Sequence, residues 1–186
     1  MNLLQRNVLL LFLAISMLSS CSKSMTSATP QAAKSLGFQF DATQRPGGTA
    51  FYSLNGTTGQ LSYMLDFGEQ AGKWSNYGNS IREVGGNPLL LAVEETAQNA
   101  AFYSMDSGTG QVYYMLDTGD KAGQWVKFGG MIRQNALNML QFEANFRNNA
   151  TTFYAYDTFT HQTYFMNDTG DNAGKWNKFG TPVSSE

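Results

Sequence analysis

FYSLNGTTGQLSYMLDFGEQAGKWSNYGNSI (residues 51–81) recurs as FYSMDSGTGQVYYMLDTGDKAGQWVKFGGMI (102–132) and again as FYAYDTFTHQTYFMNDTGDNAGKWNKFGTPV (153–183). The copies start 51 residues apart and align without a gap. Counted position by position, 16 of 31 match between the first and second copies and 17 of 31 between the second and third. A fixed period of this length is the mark of a tandem array, in which each unit is one supersecondary motif that needs its neighbours to bury its apolar surface. A residue kept in every copy serves the unit, and one that varies is free to specialise.

Each copy carries four strand signals. Phe38 to Ala42 alternates apolar and polar residues, as do Leu89/Leu91/Val93 and Leu140/Phe142/Ala144, the period of two expected of a strand. After a loop such as TQRPGGT comes a second strand (AFYSL in the first copy), then a turn rich in Gly, Asn, Asp and Thr, then a third strand such as QLSYML. That pattern reads as a hairpin. Asp66, Asp117 and Asp168 close the third strand. The loop D-x-G-[DE]-x-A-G, holding Gly68, Gly119 and Gly170, then leads to a fourth strand with Trp74, Trp125 and Trp176, which ends at Gly78, Gly129 and Gly180. Helical period is absent. The expectation is an all-β domain over about residues 36–183, in repeats of about 36–87, 88–138 and 139–183.

Adjacent Phe51 and Tyr52 point to opposite faces of their strand, and so do Tyr63 and Met64, so both faces of each small sheet are apolar. A sheet buried on both sides needs another layer on each. Radially stacked blades supply those layers, which favours a small β-propeller of three four-stranded antiparallel blades. The alternatives are a β-trefoil, or half of a six-bladed propeller completed by a second chain in a homodimer.

Two short motifs agree. The hairpins FYSMDSGTGQVYYM and FYAYDTFTHQTYFM resemble the hairpin of kelch and quinoprotein propeller blades. The Asp66/Gly68/Trp74 loop and its two repeats resemble the Asp-box of sialidase-type propellers, with Asp, Gly and Trp in the same order. They depart from it by three extra residues between Gly and Trp, and by Met64, Met115 and Met166 where the box opens with Ser. The resemblance implies fold and not hydrolase activity.

The N-terminus reads as an address. Val8 to Met17 is an apolar run of ten residues behind Arg6, the core of a signal peptide and too short for the roughly 20 residues of a membrane-spanning helix. Leu18-Ser19-Ser20-Cys21 resembles the bacterial lipobox, which implies cleavage after residue 20 and a diacylglyceryl group on Cys21. Residues 21–35 then form a polar tether, with a reach of roughly 20 Å by random-coil scaling. By resemblance to the enterobacterial sorting rule, Ser22 in place of Asp implies the outer membrane.

Charge and composition remove other classes. There are 12 Lys+Arg, 14 Asp+Glu, one His and one Cys. No basic run exists to track a phosphate backbone, so no nucleic-acid partner is expected, and one His with one Cys makes a zinc site or a disulfide framework unworkable. No nucleophile, base and orienting group can be assembled, so no catalytic residue and no cofactor are expected. His161 takes the turn position of Gly59 and Gly110 and reads as a turn residue in the left-handed conformation. The DTGDKAG turn lacks alternating calcium ligands, so Asp117 reads as a cap on its own turn. The three Trp read as core. Arg45, Glu94, Glu95, Arg147, Tyr156 and Phe159 break the repeat and are expected in or near loops, as contributors to a specific surface. The expected function is a membrane-anchored, non-enzymatic binding or scaffold module for an envelope protein or glycan. The alternatives are a lectin-like module with one site per repeat and, less favoured, a glycan-active enzyme.

Overall fold

Asn55, Asp106 and Asp157 each begin a tight turn by the same device. The side-chain Oδ1 of Asn55 accepts from the N–H groups of Thr57 (2.9 Å) and Thr58 (3.1 Å), that of Asp106 from Gly108 and Thr109, and that of Asp157 from Phe159 and Thr160. Short polar side chains that bond their own backbone in this way fix a turn. The residue that ends each turn has positive φ: Gly59 (73°), Gly110 (76°) and His161 (56°). His161 thus adopts the left-handed conformation expected of it, and its Nδ1 lies 2.8 Å from the Tyr156 hydroxyl.

In the computed structural model, which describes residues 37–83, 86–95, 99–134, 139–147 and 149–183, these turns join the second and third strands of three like sheets. The strands are β1 (Phe38–Arg45), β2 (Gly48–Asn55), β3 (Leu61–Leu65) and β4 (Ser75–Tyr77); β5 (Leu89–Glu95), β6 (Ala100–Asp106), β7 (Val112–Leu116) and β8 (Val126–Phe128); and β9 (Leu140–Arg147), β10 (Ala150–Asp157), β11 (Thr163–Asn167) and β12 (Asn177–Phe179). Each set pairs antiparallel in chain order, and among the described residues every ladder stays within one repeat. The first strands run longer than the alternation suggests, with β1 reaching Arg45, and each fourth strand starts one residue after its Trp. A shared Gln locks each third strand to the fourth. Gln60, Gln111 and Gln162 donate through Nε2 to the carbonyls of Leu61 and Tyr77, Val112 and Phe128, and Thr163 and Phe179.

The sheets stack through their first strands: β1 lies beside β5 and β5 beside β9, and the series does not close on itself. Two core layers result. Ala50, Tyr52, Leu54 and Leu61 of the first sheet meet Leu89, Ala100, Phe102 and Met115 of the second. Leu90, Ala92, Tyr103, Met105 and Val112 on its other side meet Leu140, Ala144, Phe153, Ala155 and Met166 of the third. The middle sheet is therefore covered on both faces, as the alternation requires, while among the described residues each terminal sheet has one bare face.

The two layers repeat each other in detail. Tyr52 meets Phe102 edge-on at 5.1 Å, and Tyr103 meets Phe153 at 5.0 Å. Tyr77 tilts over Phe102 at 5.9 Å, and Phe128 over Phe153 at 5.7 Å. Backbones approach closely where glycine allows it: Asn79 N–H bonds the Gly123 carbonyl, and Gly130 N–H the Gly174 carbonyl. An ion pair bridges each layer, Arg82 to Asp106 at 3.3 Å and Arg133 to Asp157 at 2.8 Å.

Among the described residues no helix is long and apolar enough to cross a membrane.

Candidate functional site

Arg45 closes β1 on the side that faces the second sheet, where it meets two carboxylates. It pairs with Glu95 of β5 and reaches Asp117, just past β7, at 3.4 Å. Thr43 and the Tyr52 hydroxyl also bond Glu95, and the Arg45 guanidinium carbon lies 6.0 Å from the centre of the Tyr52 ring. Tyr77 donates to the Asp117 carbonyl at 3.1 Å. These groups, with Tyr63, Leu65 and Phe102, line an open cleft of about 340 Å³ between the first two sheets.

The cleft is polar in its chemistry and fixed in its charge. A guanidinium held between two carboxylates is oriented by charge-assisted hydrogen bonds. Burial raises the pKa of Tyr52, a shift that Arg45 opposes; for Tyr77 burial again raises it, and Asp117 adds to the effect. Both phenols stay neutral donors in ordinary buffers. Asp117 Oδ1 is buried without a hydrogen-bond partner among the described residues.

The second layer has no such cleft chemistry, because Phe146 takes the repeat position of Glu95. There Tyr103 bonds Thr151 at 3.0 Å, and Glu94 accepts from the Phe146 N–H at 3.2 Å. Burial raises the pKa of Glu94, with nearby Glu143 and Asp41 adding to the effect. Among the described residues, no group of three His, Cys, Asp or Glu is arranged to hold a metal ion.

Several expectations need correction. Trp74 is not core: it is 47% exposed, with no described sheet over its side of the first one. Trp125 and Trp176 are half-buried against the two core layers, and Trp176 Nε1 donates to the Gly110 carbonyl at 3.0 Å. Asp66, Asp117 and Asp168 do not share one environment. Asp66 is exposed and accepts from the Thr49 N–H at 2.7 Å, so it braces β2 and not its own turn, whereas Asp117 pairs with Arg45, and Asp168 keeps a buried Oδ1 without a partner among the described residues. Gly68, Gly119 and Gly170 have φ of 77°, 87° and 85°, which explains their recurrence. Arg45, Glu94, Glu95, Arg147 and Tyr156 lie in the last two residues of their strands, next to the loops as expected, and Phe159 sits in a turn, 77% exposed. Cys21 and the lipobox lie outside the described residues.

The Arg82–Asp106 and Arg133–Asp157 pairs escaped the sequence reading. Their signal was two arginines 51 residues apart and two aspartates 51 apart, each missing from one repeat. Comparison with protein-family models, with curated proteins and with solved structures gave no match.

Proposed function

We propose that the protein is a membrane-anchored, non-enzymatic binding module of propeller type, and that the cleft between its first two sheets takes a glycan. The observation that carries this reading is the oriented set Arg45, Glu95 and Asp117 beside the Tyr52, Tyr63 and Tyr77 rings. Charged forks supply hydrogen bonds to hydroxyl groups, and aromatic surfaces supply apolar contact for a sugar ring. A volume of about 340 Å³ suits a small ligand within the roughly 300–1,000 Å³ of such sites. An acid–base role for the two carboxylates is disfavoured, since both are engaged by the same guanidinium.

Arg45→Met should abolish retention on a glycan array, at least tenfold in apparent affinity, while Arg147→Met, outside the cleft, leaves it unchanged. Binding that survives Arg45→Met would remove the cleft from the function. Hydrolysis of a bound glycan, lost in Asp117→Asn without loss of fold, would replace the binding reading by an enzymatic one.

The anchor rests on Leu18-Ser19-Ser20-Cys21 and on Ser22 after it, which together favour the outer membrane. An acyl chain contributes about 0.8 kcal/mol per buried CH₂, so two or more chains hold a protein to the bilayer without spanning it. Cys21→Ser should lose incorporated palmitate and move the protein to the soluble fraction. Labelling that persists in that variant would place the anchor elsewhere.

A further inference from the structure

The two bare faces of the stack are repeats of the faces that the internal layers bury. On the outer face of the first sheet, Phe38 and Phe40 are 68% and 63% exposed, whereas Leu89 and Leu140 at the Phe38 position are buried. On the outer face of the third sheet, Tyr154 and Phe179 are exposed, whereas Tyr52 and Tyr103 at the Tyr154 position are buried. We propose that two copies of the chain associate head to tail, the third sheet of each covering the first sheet of the other, so that six sheets close one ring.

The internal layers give the template, residue for residue. Tyr52 and Tyr77 pack on Phe102, and Tyr103 and Phe128 pack on Phe153. Tyr154 and Phe179 of one copy therefore pack on Phe51 of the other. Tyr103 bonds Thr151, and 51 residues on and 102 residues back the same pair is Tyr154 with Thr49.

The backbone is shaped for the same contact. Gly78 and Gly129, with φ of 65° and 63°, press against Gly123 and Gly174 across the internal layers. Gly180 (65°) and Gly72 (74°) hold the same conformations with nothing within 4 Å of an added Cβ. Charge agrees: Arg45 reaches Asp117 internally, and the equivalent pair across the junction is Arg147 with Asp66. Where the internal layers carry Asp106 and Asp157, the first sheet has Asn55 at the same repeat position, so this turn brings no carboxylate into the low-dielectric junction.

The number of copies follows from closure. Propellers close with roughly four to eight blades, and six is the one multiple of three in that range. The interface is heterologous, since each copy uses a different face, and the ring is complete with two copies.

Light scattering of the full chain in mild detergent, coupled to size exclusion at micromolar concentration, tests this. The protein mass should be twice that of one mature chain. Phe40→Asp and Phe179→Asp should each run as a single chain with an unchanged melting profile, and mixing the two should restore a dimer, because one junction then has both native faces. Met131→Asp, exposed in the middle repeat, should stay dimeric. Phe38→Asp and Tyr154→Asp serve as the pair if either first variant melts early. A single-chain mass for the parent, a dimer that survives either end-face variant, a mixture that stays monomeric, or loss of the dimer in Met131→Asp would each overturn the proposal. Glycan binding by the cleft is read separately, on the array, and stands or falls without it.

Discussion

Phe153→Ala is expected to lower the free energy of unfolding by about 3 to 5 kcal/mol, the range for deleting a buried ring. Phe153 is 1% exposed and its ring contacts Tyr103, Phe128 and Phe142 at 5.0, 5.7 and 6.2 Å, joining two strands of its own sheet to two of the middle sheet. Among the described residues no other in that layer has three aromatic neighbours, so its deletion leaves three rings without their common contact. Denaturant titration monitored by near-ultraviolet dichroism measures the loss. A loss below about 1 kcal/mol would mean that the second and third sheets do not rely on this layer.

Gly129→Ala should cost about 2 to 5 kcal/mol. The φ of 63° imposes about 1 to 2 kcal/mol on any residue with a Cβ, and overpacking adds a further 1 to 3 kcal/mol. The added carbon would sit 2.6 Å from the Gly174 carbonyl oxygen and 2.6 Å from the Met166 sulfur, and backbone cannot step aside as a side-chain end can. Gly180→Ala is the matched control. Its φ is 65° and its surroundings are open, so only the backbone cost applies when the chain is dilute enough to be a single copy. Equal melting temperatures for the two variants would show that the close approach of Gly129 to Gly174 contributes nothing.

The sequence spoke most clearly where one physical rule acts alone. Period-two alternation and recurring turn residues placed twelve strands in three sheets, because pairing is confined to each repeat and needs no distant partner. What it obscured depends on neighbours that repetition hides. Trp74, Trp125 and Trp176 hold the same place two residues after the Gly of the Ala-Gly pair in each repeat, yet Trp74 is exposed because no described sheet lies over its side of the first one. Arg45, Glu95 and Asp117 are far apart in the chain and come together only when the first sheet is laid on the second. Arg45 and Glu95 stood out because they break the repeat, whereas Asp117 keeps it, and nothing in the chain marked the three as one cleft. Arg82 and Asp106 lie in a connection and a turn, where no period governs side chains, and so their pairing became visible only in three dimensions.

Confinement of every ladder to one repeat has a kinetic consequence. Loop-closure entropy is small when strands that pair lie within about 20 residues, and local contacts speed folding. Each sheet can form as soon as its own fifty residues are free, before the next has appeared. A chain that emerges from its N-terminus can therefore order itself in sequence, with the stack growing by one sheet at a time as in a one-dimensional repeat protein. The edge strands β4, β8 and β12 are only three residues long, too short a template to recruit a foreign strand, and the longer edges β1, β5 and β9 lie beside one another in the stack.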